Sequence, residues 1–240
     1  MKILFVFLLA AIFITSCSKE SLVDLSPSTE EIEFRSKKQT FKVRIEAINE
    51  GSLATPFAPG VWIVQKKNSA PIFINGLPDF GDGLEALAED GSTDMLNNSL
   101  NNHPKVRDKG VFNTPVGASG PAPIFPGEAY EFSFTAKPND YLNFATMFIQ
   151  SNDLFVGPSQ QGIALFDEQG DPIYGDITSY LDLWDAGTEV NEEPGVGPNQ
   201  APRQSGPDTG IDENGVVQIV NDGFDYPAVH EVLKVTIMTL

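Results

Sequence analysis

Residues 130–150 read YEFSFTAKPNDYLNFATMFIQ. Tyr130, Phe132 and Phe134 alternate with Glu131, Ser133 and Thr135, the period of two expected of a half-buried strand, because successive side chains point to opposite faces. The apolar stretch from Leu142 to Gln150 follows after a Pro-Asn-Asp junction and also has strand length. The same alternation occurs upstream, where Phe41, Val43 and Ile45 interleave with Lys42, Arg44 and Glu46. Downstream, Gly162–Phe166, Val216–Val220 and Val232–Met238 are further short strand patterns, the last with Leu233, Val235 and Ile237 on one face. Val61–Gln65 and Pro71–Ile74 are short apolar runs compatible with strand or buried loop. Leu84, Leu87 and Ala88, then Met95, Leu96 and Leu100, have helical spacing in two short pieces separated by Asp90-Gly91. Residues 103–127 hold several Pro and Gly and read as a long loop, and residues 194–210 as an exposed loop. Many short strands with turn signals between them predict an all-β protein, an antiparallel β-sandwich with short helical insertions.

Two acidic loops stand out from this frame. In SNDLFVG (151–157) Asp153 directly follows the apolar run that ends at Ile149. In LDLWDAGTEVNEE (181–193) Asp185 and Glu189 flank Gly187, with Asp182, Glu192 and Glu193 close by. Carboxylates gathered in tight loops repel one another unless a cation sits among them. Neither loop contains Cys or His, so zinc and copper fit poorly, whereas a hard cation such as Ca²⁺ takes six to eight oxygen ligands from carboxylates, carbonyls and water. Strand alternation points Asp182 and Trp184 to one face, with Trp184 as core. The acids of DTGIDENG (208–215) occupy no EF-hand frame, and that stretch reads as a turn. His230-Glu231 begins like a zinc-protease motif, but Lys234 stands where the second His is required.

SNDLFVG and DAGTE together resemble the spondin domain family, the N-terminal module of F-spondin and mindin, in its bacterial lipoprotein branch. The likeness spans roughly residues 40–240. It implies a calcium-binding sandwich related to calcium-dependent lipid-binding domains, with Asp153, Asp185 and Glu189 as the metal ligands. Leu154 stands where the family has an aromatic, and Glu189 where it has Asp. Animal members are adhesive and pattern-recognising matrix proteins. By that resemblance an extracellular protein or glycan is the expected partner.

The N-terminus predicts where the protein goes. Lys2 precedes an apolar run, Ile3–Ile14, whose twelve residues fall short of the ~20 that span a bilayer. A short apolar run ending in small residues is an export signal. Ile14-Thr15-Ser16-Cys17 resembles a bacterial lipobox, which would make Cys17 the lipidated first residue of the mature protein. The expected organisation is a signal peptide at 1–16, a lipidated tether at 17–39 and the sandwich at 40–240. The expected location is the bacterial cell envelope, as an outer-membrane lipoprotein. Ser18-Lys19-Glu20 resembles the short charged signals that send some lipoproteins to the cell surface. Cys17 is the sole cysteine, so the mature domain forms no internal disulfide.

The net charge of −18, from 33 acidic and 15 basic residues, argues against nucleic acid and against polybasic membrane attachment. The lipid is the expected membrane contact. Enzymatic chemistry is not expected: no G-x-S-x-G frames a serine and the mature chain has no cysteine nucleophile. Asp153 and Asp185 would be the pair to test for the alternative of a carboxylate-based hydrolase of an envelope or environmental polymer. A purely structural envelope protein is the other alternative.

Overall fold

A computed structural model describes residues 37–51 and 53–240. The expected export segment, Cys17 and nearly all of the expected tether lie outside them. The described chain is mainly β, in two antiparallel sheets. Its strands are β1 (Gln39–Ala47), β2 (Phe57–Lys66), β3 (Val106–Phe112), β4 (Ala129–Ala136), β5 (Asp140–Phe148), β6 (Leu154–Pro158), β7 (Ile163–Ala164), β8 (Gly175–Asp176), β9 (Leu181–Asp185), β10 (Gln218–Ile219) and β11 (Leu233–Thr239). Three short helices join them: α1 (Leu84–Asp90), α2 (Asp94–Ser99) and α3 (Val229–Val232). The first sheet has the order β4-β1-β11-β8 and the second β10-β9-β6-β5-β2-β3, with β7 paired to β5. No described helix is long and apolar enough to cross a membrane.

The two sheets differ in how many faces they bury, and their sequences differ accordingly. The first sheet packs one face inward. Phe41, Val43 and Ile45 of β1 and Tyr130, Phe132 and Phe134 of β4 enter the central core. Between them on the outer face, Lys42 and Arg44 pair with Glu131 at 2.5 and 3.2 Å. The second sheet is covered on both faces. Trp62, Val64, Leu142, Phe144, Leu154 and Val156 join the central core. Val61, Ile63, Ala145, Phe155 and Trp184 pack instead against Phe73, Leu84, Leu87 and Leu96 of the insertion between β2 and β3. Burial on both faces makes β5 and β6 read as continuous apolar runs. Each large side chain fully removed from water is worth ~1.5–3 kcal/mol. Aromatic stacking adds to this, with Trp62 lying flat on Phe132 at 5.2 Å. Gly110 faces Trp62 across β2 and β3, where a Cβ would sit 2.8 Å from the indole ring.

The reading of 103–127 as loop is corrected by β3. Its sequence VRDKGVF carries Arg, Asp and Lys because it is an edge strand, where charges discourage pairing with another chain. Polar edges hide the alternation. The 194–210 segment is not simply exposed either. Gln200 is fully buried and donates to the carbonyls of Glu192 and Glu193 at 3.3 and 2.9 Å. Pro71–Ile74 forms no strand, but Ile72 and Phe73 are buried.

Candidate metal centre

Asp153 sits in the turn between β5 and β6. The Ser151 hydroxyl donates to the Phe148 carbonyl at 2.6 Å and accepts from the Leu154 amide at 3.1 Å, pinning that turn. Register then brings Asp185 alongside, because β6 and β9 pair with Leu154 opposite Asp185. Beyond Asp185 the chain reverses at Gly187, with φ +70, and a Cβ there would meet the Val216 backbone at 2.6 Å. That turn delivers three donors to one oxygen. The Thr188 amide, the Thr188 hydroxyl and the Glu189 amide donate to Asp153 Oδ2 at 2.7, 3.2 and 3.1 Å. The other oxygen, Asp153 Oδ1, is buried without a partner among the described residues. Asp185 accepts from the Gly187 amide at 2.7 Å and from Asn191 Nδ2 at 2.9 Å, while Asn191 Oδ1 is also buried and unpartnered.

The third acid of this group is Glu213. The segment after Asp208 runs antiparallel to the 187–190 turn, with the Glu213 amide donating to the Thr188 carbonyl at 2.8 Å and the Gly215 amide to the Gly187 carbonyl at 2.7 Å. Asp153, Asp185 and Glu213 each offer an oxygen, all within 4.8 Å of one another. Glu189 is not a member of that group. Its oxygens accept from the Gly210 amide at 2.8 Å and Asn152 Nδ2 at 3.3 Å, and the charges that act on it most are Asp208 and Asp90. The structure therefore joins two of the three expected ligands and places Glu189 beside other acids. Sequence reasoning took 208–215 for a turn and missed Glu213. Its acid density was the available signal, but nothing local says which loop it packs against.

Electrostatics set this group apart from ordinary buried acids. Asp140 is just as buried but forms an ion pair with Arg107. Among the described residues, no Lys or Arg pairs with Asp153, Asp185 or Glu213. Burial, followed by the neighbouring Asp185 charge, raises the Asp153 pKa above the usual carboxylate range. Burial, with the Glu213 and Asp222 charges behind it, raises that of Asp185. Such a site holds either protons or a cation. The donors are all hard oxygens, three carboxyls with an orphaned amide carbonyl beside them, so the residues fit a metal ion of the alkaline-earth type.

No protein-family model matches the chain, and no curated protein matches it in sequence.

Proposed function

We propose that the protein is a cell-envelope lipoprotein whose spondin-like sandwich binds calcium and serves as a non-enzymatic adhesion or ligand-binding module. The unpartnered, buried Asp153 Oδ1, facing two further carboxylates with no basic side chain among them, carries the calcium reading. The SNDLFVG and DAGTE motifs support the family, since both meet at this centre. Burial favours an ion that ties loops together over a hydrolytic pair: Asp153 is inaccessible to a polymer, and Asp185 is 3 % exposed. A ligand has space elsewhere. A cleft of about 900 Å³ is lined by Asp176, Asp182, Phe224, Asp225, Tyr226 and His230, a size and mixed chemistry suited to a sugar or peptide segment.

The test is thermal unfolding of the full chain in EDTA and in millimolar calcium. An ion that binds only the folded state, present at a hundred times its dissociation constant, adds ~2.7 kcal/mol. For a domain of this size that raises the midpoint by ~5–10 °C. Identical midpoints would remove calcium from the proposal.

A further inference from the structure

The cleft of about 900 Å³ lies where both sheets end. Asp176 of β8, the outermost strand of the first sheet, and Ile219 of β10, the outermost strand of the second, both line it. An outermost strand has one edge without a neighbouring strand, where backbone amides and carbonyls can pair with an extended chain. Asp176 also lines a second cavity, of about 470 Å³, together with Tyr174 and Tyr180, so the two spaces adjoin at β8. Aromatic rings and acids face this groove, and no Lys or Arg lines either part of it. Tyr174 is 81 % exposed and Tyr180 60 %, and Phe224 is exposed as well, so ring surface stands open to a ligand. Burial raises the pKa of Asp182, and no hydrogen bond or cation offsets it. Neither Asp182 nor Asp225 forms an ion pair among the described residues. Asp176 Oδ1 accepts from the Thr178 amide at 2.8 Å, while Lys234, whose charge acts on Asp176, lines neither cavity.

We propose that this groove binds an extended basic peptide segment of a partner protein, with Lys or Arg side chains seated among Asp176, Asp182 and Asp225. The proposal rests on the reading of the sandwich as a ligand-binding module and names the class of ligand. A neutral sugar would stack on the rings, but covering the carboxylates with it would deepen their desolvation without supplying charge. A Lys or Arg side chain supplies that charge, lays its aliphatic stem on apolar surface and packs its cationic head over aromatic faces. The short outermost strands add backbone partners that a polypeptide can use and a glycan cannot use in the same register.

The experiment uses the full chain in a mild detergent with millimolar calcium and three probes. Two are fluorescein-labelled peptides read by anisotropy, one alternating Lys with Thr and one with Gln in place of every Lys. The third is cellohexaose, a neutral oligosaccharide, read by calorimetry. The Lys peptide is expected to bind about tenfold more tightly than the Gln peptide, and Asp182→Asn and Phe224→Ala each to weaken it by about tenfold. Asp108→Asn removes the same charge from an exposed position on β3, at the far edge of the second sheet, and should leave binding unchanged. Circular dichroism checks each fold, and the exposed Asp225→Asn takes the place of Asp182→Asn if that variant unfolds. Equal affinity for the two peptides would overturn the proposal. Equal losses in Asp182→Asn and Asp108→Asn would overturn it too, by showing attraction to the net charge alone. Cellohexaose binding that Phe224→Ala abolishes, with no preference for Lys, would overturn the basic ligand and leave the ligand-binding module standing. Absence of binding by all three probes would remove the cleft from both.

Discussion

Asp153 is the residue on which the candidate metal centre turns, because one of its oxygens is saturated and the other has no partner among the described residues. Asp153→Asn separates charge from shape. The amide keeps an oxygen for the three donors and offers its NH₂ to Asp185. In EDTA near pH 8 the variant should be more stable than wild type by ~1 kcal/mol or more, since a hydrogen bond to a charged group replaces a repulsion. In millimolar calcium it should gain less than wild type does. Paired melts give both signs, and a variant less stable than wild type in EDTA would contradict the geometry. The pH dependence follows from the same acids. Burial raises the Glu89 pKa to about 8, and those of Asp153 and Asp185 also rise. A carboxyl whose folded pKa lies above its unfolded value of ~4 stabilises fully below that value, and the contribution is lost as pH climbs through the folded pKa. Stability in EDTA should therefore fall between about pH 5 and pH 8. Calcium should reverse the slope, because bound carboxylates must be deprotonated and acid releases the ion. Denaturant titrations across that range, with and without calcium, read the two slopes.

At the scale of elements, the site depends on three chain segments that no single strand carries. The turn before β6 accepts from the Ala186 amide through the Asp153 carbonyl at 3.2 Å, and the loop before β10 donates to the Gly187 carbonyl at 2.7 Å, so both meet the turn after β9. Gly187→Ala attacks that junction without touching a carboxylate. It adds a Cβ against Val216 at a position with positive φ, so it should cost more than the ~1 kcal/mol typical of such strain alone. The displaced Val216 would carry Glu213 with it. Calcium stabilisation should therefore drop in this variant, although every proposed ligand remains. Calorimetric titration alongside urea unfolding would check this, and unchanged calcium affinity would show that Glu213 is dispensable. The helical insertion is the other element of interest. Leu84, Leu87 and Leu96 cover the second sheet on the face that Trp184 and Phe155 present, so the acids of α1 are held by core packing.

For the whole molecule, the sandwich has its own core, and with Cys17 as the single cysteine the chain forms no internal disulfide. Attachment and folding should separate. Cys17→Ser should leave the melting midpoint of the domain unchanged and move the protein from the membrane fraction to the soluble one, or leave it as an uncleaved precursor. Metabolic labelling with an alkyne fatty acid measures the lipid directly, and an unlabelled wild-type protein recovered soluble would overturn the lipoprotein assignment. The net charge of −18 argues against direct attraction to an anionic membrane in place of a lipid anchor.

Period-two patterning at residues 41–46 and 130–135 was enough to specify β1 and β4 of the first sheet, because a sheet with one dry face writes its orientation into every second residue. The paired acids were legible for a related reason. Asp153 and Asp185 each end or begin a strand, and turn chemistry is local. What remained hidden was the content of pairing between distant segments. β3 is polar because it is an edge, and edge position exists only once the sheet has assembled. Glu213 joins Asp153, and Glu189 leaves it, because the 208–215 loop docks on Gly187, a contact between segments that the sequence does not mark. Local periodicity determined the fold class, and the acidic loops with the family resemblance marked Asp153 and Asp185 as candidate ligands. The tertiary structure decided which third acid lies beside them, because carboxylates far apart in the chain interact only after the backbone has brought them within a few ångströms.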